Sequence, residues 1–141
     1  MNWQIRQFSS PQDLQPVLNL WASSGPGVQL STSDEPAELM KKLTRDPDLF
    51  LVAVDGARII GTVLGGFDGR RGLVYHLAVD PERRRQGIGK ALMTELEGRL
   101  RAKGCLKYYL LVTPDNRGAI EFYQGLGWEL MPLRAMGKRI E

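Results

Sequence analysis

The sequence predicts an α/β (α+β) fold: a mixed, mostly antiparallel sheet of about seven strands flanked by about four helices. Two observations carry this expectation. Three apolar, β-branched runs, "LFLVAVD", "RIIGTVLGGF" and "GLVYHLAVD", follow one another with only the hairpin-type turns "DGA" and "DGRRG" between them. Helix-periodic segments stand on both sides of that block, the longest setting Ile88, Leu92, Leu96 and Leu100 in one stripe.

"WQIRQF" alternates and reads as a first strand, and "SPQDLQPVLNLWAS" sets Leu14, Val17, Leu18 and Trp21 at helical spacing behind a Ser-Pro start. "SDEPAELMKKLTRD" repeats the start signal before Pro36 and puts Leu39, Met40 and Leu43 on one face. The three-strand block follows. A helix from Gly87 to Lys103 ends at Gly104, a residue suited to the left-handed cap position. "CLKYYLLVT" is a further strand, "DNRGAIEFYQGL" a short helix capped by Gly127, and "WELM" with "AMGKRI" a closing hairpin. The resulting order is βααβββαβαββ. The longest irregular stretch is "SSGPGVQLST", residues 23–32, a loop placed to move over a site.

The 141 residues fit one domain, 1–141, without repeats or linker-like tracts. "MNWQIRQF" lacks a signal peptide's apolar run and no stretch approaches a membrane span, so a cytoplasmic protein with no membrane partner is expected. One cysteine, Cys105, excludes an internal disulfide, and one histidine, His76, leaves little for a metal cluster; no metal is expected. The net charge of +3 draws on Arg83, Arg84 and Arg85, and no aromatic residues interleave with them. That pattern suits a phosphorylated small ligand better than nucleic acid.

The stretch "VDPERRRQGIGKALM" carries the chemistry. At Gly87 and Gly89 the backbone is bare, and the helix that follows points its first N–H groups into the loop. Free amides at a helix start, with the positive end of its dipole, favour an anion such as phosphate. A dinucleotide fingerprint would need glycine at Leu92, and a P-loop would need glycine at Arg84 and Ser or Thr at Ala91. The competing reading is an ordinary strand-to-helix turn with a solvated basic run.

The element order, the "Arg84-Arg85-Gln86-Gly87-Ile88-Gly89" stretch after "LAVDPE", and the later "PDNRGAIEFYQGLGW" together resemble the GCN5-related N-acetyltransferases over nearly the whole chain. Within that family "GTVLGGFDGRRGLVYHLAVDPE" and "MGKR" are most similar to the YpeA-type bacterial enzymes. The second motif, Asn116, Ala119 and Tyr123 at N-x-x-A-x-x-x-Y spacing, makes the pair specific. The resemblance implies a splayed pair of central parallel strands, acetyl-CoA as co-substrate, and transfer of its acetyl group to a primary amine in a ternary complex.

On that resemblance, main-chain N–H groups of Arg85, Gln86, Gly87, Ile88, Gly89 and Lys90 would wrap the pyrophosphate, with Arg84 and Arg85 adding charge or else pointing into solvent. Leu77 and Val79 would pair through their main chain with the pantetheine arm, and an N–H near Val79 would support the oxyanion. "HLAV" alone would read as an ordinary core strand. Tyr123 would protonate the leaving thiolate, although at helical spacing from Ile120 and Leu126 it also reads as a core aromatic. Asn116 would bond the arm, cap its helix, or do both.

The glutamate that some relatives use as general base falls at Leu111, so that base is missing. His76 has a suitable ordinary pKa, yet a lone histidine in an apolar strand is more often a structural residue. Glu121 and Asp68 are further options without positional support, and ordered water serves in several relatives. Asp34, Glu35 and Glu38 would attract a cationic amine or merely serve a helix dipole, and Trp21 and Trp128 would line a pocket or the core. The closing hairpin leaves edge strands of the kind that relatives often use for dimers, so the resemblance suggests a homodimer. A catalytically silent acyl-CoA-binding domain would retain the glycine loop without using Tyr123.

Overall fold

The computed structural model describes residues 2–25, 28 and 30–140. Of the expected loop at 23–32, Pro26, Gly27 and Gln29 lie outside the described residues. The chain forms two compact units, Met1–Leu110 and Leu111–Glu141.

The first unit is built on a five-stranded sheet of β1 (Gln4–Gln7), β2 (Phe50–Asp55), β3 (Arg58–Phe67), β4 (Gly72–Val79) and β5 (Tyr108–Leu110), with the strands side by side in sequence order. Neighbours are antiparallel except β4 and β5, which run parallel. The turn sequences at Gly56 and Gly69 behave as expected: both glycines take positive φ, +61° and +101°, values that their bare backbone admits without strain.

Two layers of helix cover the sheet. Phe50, Val52 and Val54 cluster with Val17, Leu20 and Trp21 of α1 (Leu14–Ala22) and Leu39 of α2 (Pro36–Arg45). Leu51 and Ala53, of the opposite parity on β2, are equally buried and need a cover on the other face. α3 (Ile88–Ala102) supplies it through Ile88, Leu92, Met93, Leu96 and Leu100. The helix stops where Gly104 turns to φ +88°, and the Cys105 N–H reaches back to the Leu100 carbonyl at 3.0 Å.

Close approach of α3 depends on β3 having no side chains beneath it at two places. A Cβ at Gly61 would lie 2.9 Å from Ile88 Cγ2, and one at Gly65 would lie 2.5 Å from Leu96 Cδ1. Gly65→Val should therefore cost about 2 kcal/mol by overpacking and lower Tm by roughly 6–8 °C. An unchanged melting temperature by calorimetry would mean that Leu96 repacks freely.

β4 carries an irregularity in its middle. Thr62 pairs with Ala78 and Leu64 with Tyr75, so His76 and Leu77 together stand opposite Val63 in a β-bulge. His76 there has φ +46°, left-handed for a residue with a Cβ. The ladder to β5 covers only Gly72 to Val74. From Tyr75 to Val79, β4 has β3 on one side and, among the described residues, no strand partner on the other. This is the splay expected of the central parallel pair.

The second unit contains α4 (Arg117–Gly125), after which Gly127 turns to φ +94° as its C-terminal cap. The expected closing hairpin is not formed: among the described residues "WELM" and "AMGKRI" carry no strand, and the sheet has five strands rather than about seven. Both runs are short, and an isolated two-stranded hairpin of such length is marginal however its apolar residues alternate.

Candidate active site

β4 ends at Asp80, whose carboxylate accepts from the Glu82 N–H at 3.0 Å and from the Arg58 guanidinium at 2.7 Å. Arg83 pairs with Asp55 at 2.8 Å. Both bonds anchor the start of the loop to the β2–β3 hairpin, so the residues that follow leave from a fixed point. Arg85 takes φ +65° and Gly87 φ +82°. Left-handed positions alternating with ordinary ones turn successive N–H groups toward one side, an arrangement suited to an anion.

α3 begins there. Gly87 is its N-cap and provides no side-chain bond, so the N–H groups of Ile88, Gly89 and Lys90 receive no side-chain cap. The Ile88 side chain is buried and plants the helix start against the sheet. The three arginines divide their roles. Arg83 is committed to Asp55, and Arg84 donates to the Val79 and Ser24 carbonyls, both at 3.3 Å. Arg85 is exposed, and its charge has no ion-pair partner among the described residues.

The unpaired edge of β4 leads directly into this loop. Leu77 and Val79 are half-buried on it, so their main-chain groups border the space that β5 does not fill. The Val79 carbonyl already accepts from Arg84, whereas its N–H has no such claim.

In the second unit Asn116 caps α4: its side-chain oxygen accepts from the Ala119 N–H at 3.2 Å. Among the described residues its NH2 group has no hydrogen-bond partner, so the cap does not preclude a ligand. Tyr123 packs edge-on against Phe122 and Trp128, with ring centroids 5.1 and 5.6 Å away. Burial pushes its phenol from an ordinary 10.0 up to about 12. Among the described residues its hydroxyl has no hydrogen-bond partner. A phenol in this state keeps its proton at neutral pH.

Leu111 is three-quarters exposed and provides no base. Sequence reasoning missed the partner of His76. Its Nε2 lies 2.7 Å from the carboxylate of Asp34, and the Trp21 ring sits 4.7 Å from the imidazole. Asp34 is buried and ends a 3₁₀ turn, Thr32–Asp34, in which it also accepts from the Ser31 N–H at 2.9 Å. It is not an acid at a helix start waiting for an amine. Forty-two residues separate the pair, beyond the reach of any local spacing rule.

The model of the acetyltransferase (GNAT) family matches residues 14–128. An acetyltransferase of Pectobacterium atrosepticum is 39% identical over 137 residues, covering 97% of this chain and 95% of the relative. The crystal structure of Ard1 from Thermoplasma volcanium superposes with a TM-score of 0.82 at 27% identity, covering 93% of this chain and 85% of that one. A PaiA N-acetyltransferase from Thermoplasma acidophilum, solved with coenzyme A, gives 0.80 at 22% identity over 95% and 94% of the two chains, a likeness of fold.

Proposed function

Since this chain belongs to the acetyltransferase (GNAT) family and is an acyl-CoA-dependent N-acetyltransferase with an amine acceptor, we propose that the loop Arg85–Lys90 holds the pyrophosphate of acetyl-CoA and that Tyr123 is its general acid. The observation that carries this reading is the continuity of one binding surface: the unpaired edge of β4 runs into two left-handed residues and then the uncapped start of α3. An extended pantetheine arm finds free main-chain groups along the first part, and its phosphates find clustered N–H donors at the second.

Leu77 and Val79 hold the arm as a substitute strand, and the Val79 N–H supports the oxyanion. Arg85 is better suited than Arg84 to add charge, because Arg84 already serves two carbonyls. Asn116 bonds the arm through its NH2 group. The amine attacks the thioester carbon, the C–S bond breaks, and Tyr123 gives its proton to the sulfur. Residues 1–141 act as one catalytic domain, a reading supported by a family match that runs from α1 past α4.

The acceptor is a small molecule or a protein amino group rather than a nucleic acid, since Arg83 and Arg84 are committed within the fold and leave no basic track. A cytoplasmic location fits an enzyme fed by acetyl-CoA, and among the described residues no helix is long and apolar enough to cross a membrane. A homodimer belongs to the same proposal, although the hairpin that suggested it is not formed; sedimentation velocity decides it.

The experiment combines calorimetric titration of acetyl-CoA with release of free thiol over an amine panel. Binding together with amine-dependent thiol release is expected. Binding without release on any amine would instead support a silent acyl-CoA sensor.

A further inference from the structure

The mechanism above lacks a group to take the proton that a cationic amine must lose before it attacks. We propose that His76, oriented by Asp34, is that general base. The inference rests on the reading of β4 as the acetyl-CoA strand.

The geometry assigns the two ring nitrogens different roles. Nε2 lies 2.7 Å from a carboxylate oxygen of Asp34, so Nε2 bears the hydrogen and donates it. The tautomer is thereby set, and the lone pair is on Nδ1. Among the described residues Nδ1 has no hydrogen-bond partner, and the only buried side-chain nitrogen or oxygen lacking one is Trp3 Nε1. Nδ1 is therefore neither bonded nor fully enclosed, on a side chain 16% exposed, while the other ring nitrogen is sequestered by Asp34. This is the arrangement of an oriented base, whereas a structural histidine would have both nitrogens engaged or the ring closed off.

The backbone supports the same assignment. His76 occupies the left-handed position of the bulge, where a Cβ costs about 1–2 kcal/mol and glycine would be free. The bulge is what aims the ring: Thr62 holds the His76 carbonyl with its hydroxyl at 3.3 Å, and the Trp21 indole holds that hydroxyl at 2.9 Å. Three elements thus fix one imidazole. Asp34 is the charged group bonded to it; α1 faces it with Trp21 and β3 with Thr62, neither of which titrates near neutral pH.

The protons balance. The ammonium acceptor loses two on its way to an amide. His76 Nδ1 takes one and passes it to solvent, and the other replaces the proton that Tyr123 gives to the coenzyme A thiolate.

His76→Gln tests this, because the amide NH2 can keep the bond to Asp34 while the basic nitrogen is lost. The variant should bind acetyl-CoA like the parent and retain turnover on hydroxylamine, a nucleophile that is unprotonated at neutral pH. On n-butylamine at neutral pH turnover should fall about 100-fold, with the deficit shrinking as pH rises and the free amine accumulates. Equal loss on both nucleophiles, or no loss on n-butylamine, would overturn the proposal. As His76 is the chain's single histidine, its ¹⁵N signals need no assignment. They should report hydrogen on Nε2 and a free Nδ1, and hydrogen on Nδ1 would sink the idea whatever the kinetics. A parent protein that failed to bind acetyl-CoA would instead remove the reading of β4.

Discussion

Tyr123→Phe should lower turnover on the best amine by roughly 10²–10⁴-fold while acetyl-CoA affinity and Tm change little. The substitution removes one oxygen from a ring whose edge-on contacts with Phe122 and Trp128 survive. Because that oxygen has no hydrogen-bond partner among the described residues, no buried polar group is left unsatisfied by its loss. The raised phenol adds a second readout. Between pH 10, where an unfolded tyrosine ionises, and about 12, where this one does, the unfolded state releases the proton first. Parent stability should therefore fall across that window, and the phenylalanine variant should lack this part of the decline. Equal turnover on every amine would take Tyr123 out of the mechanism; identical alkaline slopes would contradict its burial.

Gly87→Val should weaken acetyl-CoA binding by about 100-fold or more, measured by calorimetric titration, and leave the sheet intact. At φ +82° a β-branched residue is strained, yet nothing lies within 4 Å of where its Cβ would stand. The strain is thus relieved by the loop changing conformation, which re-aims the N–H groups of the first α3 turn away from the phosphates. Unaltered affinity would refute the phosphate assignment.

The parts of this fold that were legible in the sequence are those specified by local chemistry. The two β-hairpins followed from Gly56 and Gly69 within polar turns, and β3 spans the same residues, 58–67, that its apolar run suggested. α3 was readable at both ends from glycines with opposite tasks, Gly87 opening it and Gly104 closing it. The left-handed turn that opens α3 was legible for the same reason.

Misreadings came where a local signal met a non-local requirement. α1 begins at Leu14 rather than at the Ser-Pro pair, because Asp13 bonds the Ser9 N–H and the Arg6 guanidinium. The closing runs alternate like strands but find no ladder. His76 and Asp34 were both noticed, yet as unrelated residues; only the fold brings a 3₁₀ turn against a bulged strand. Nothing in the spacing of β4 announced the bulge either, since its extra residue is a histidine and not the glycine that usually marks one.

That extra residue has a consequence for how the strand can vary in length. Val74 is buried outside the cluster formed with α1 and α2, whereas Ala78, four positions later, lies inside it; a regular strand would turn both to the same face. Deleting His76 or Leu77 would make that separation three, which a regular strand also turns to opposite faces, so the ladder would close with Ala78 still opposite Thr62 and still in the core. What such a deletion removes is the left-handed step that aims the ring at position 76 toward Asp34. A one-residue change elsewhere in β4, with the bulge kept, would instead slip the register and exchange inside for outside beyond it.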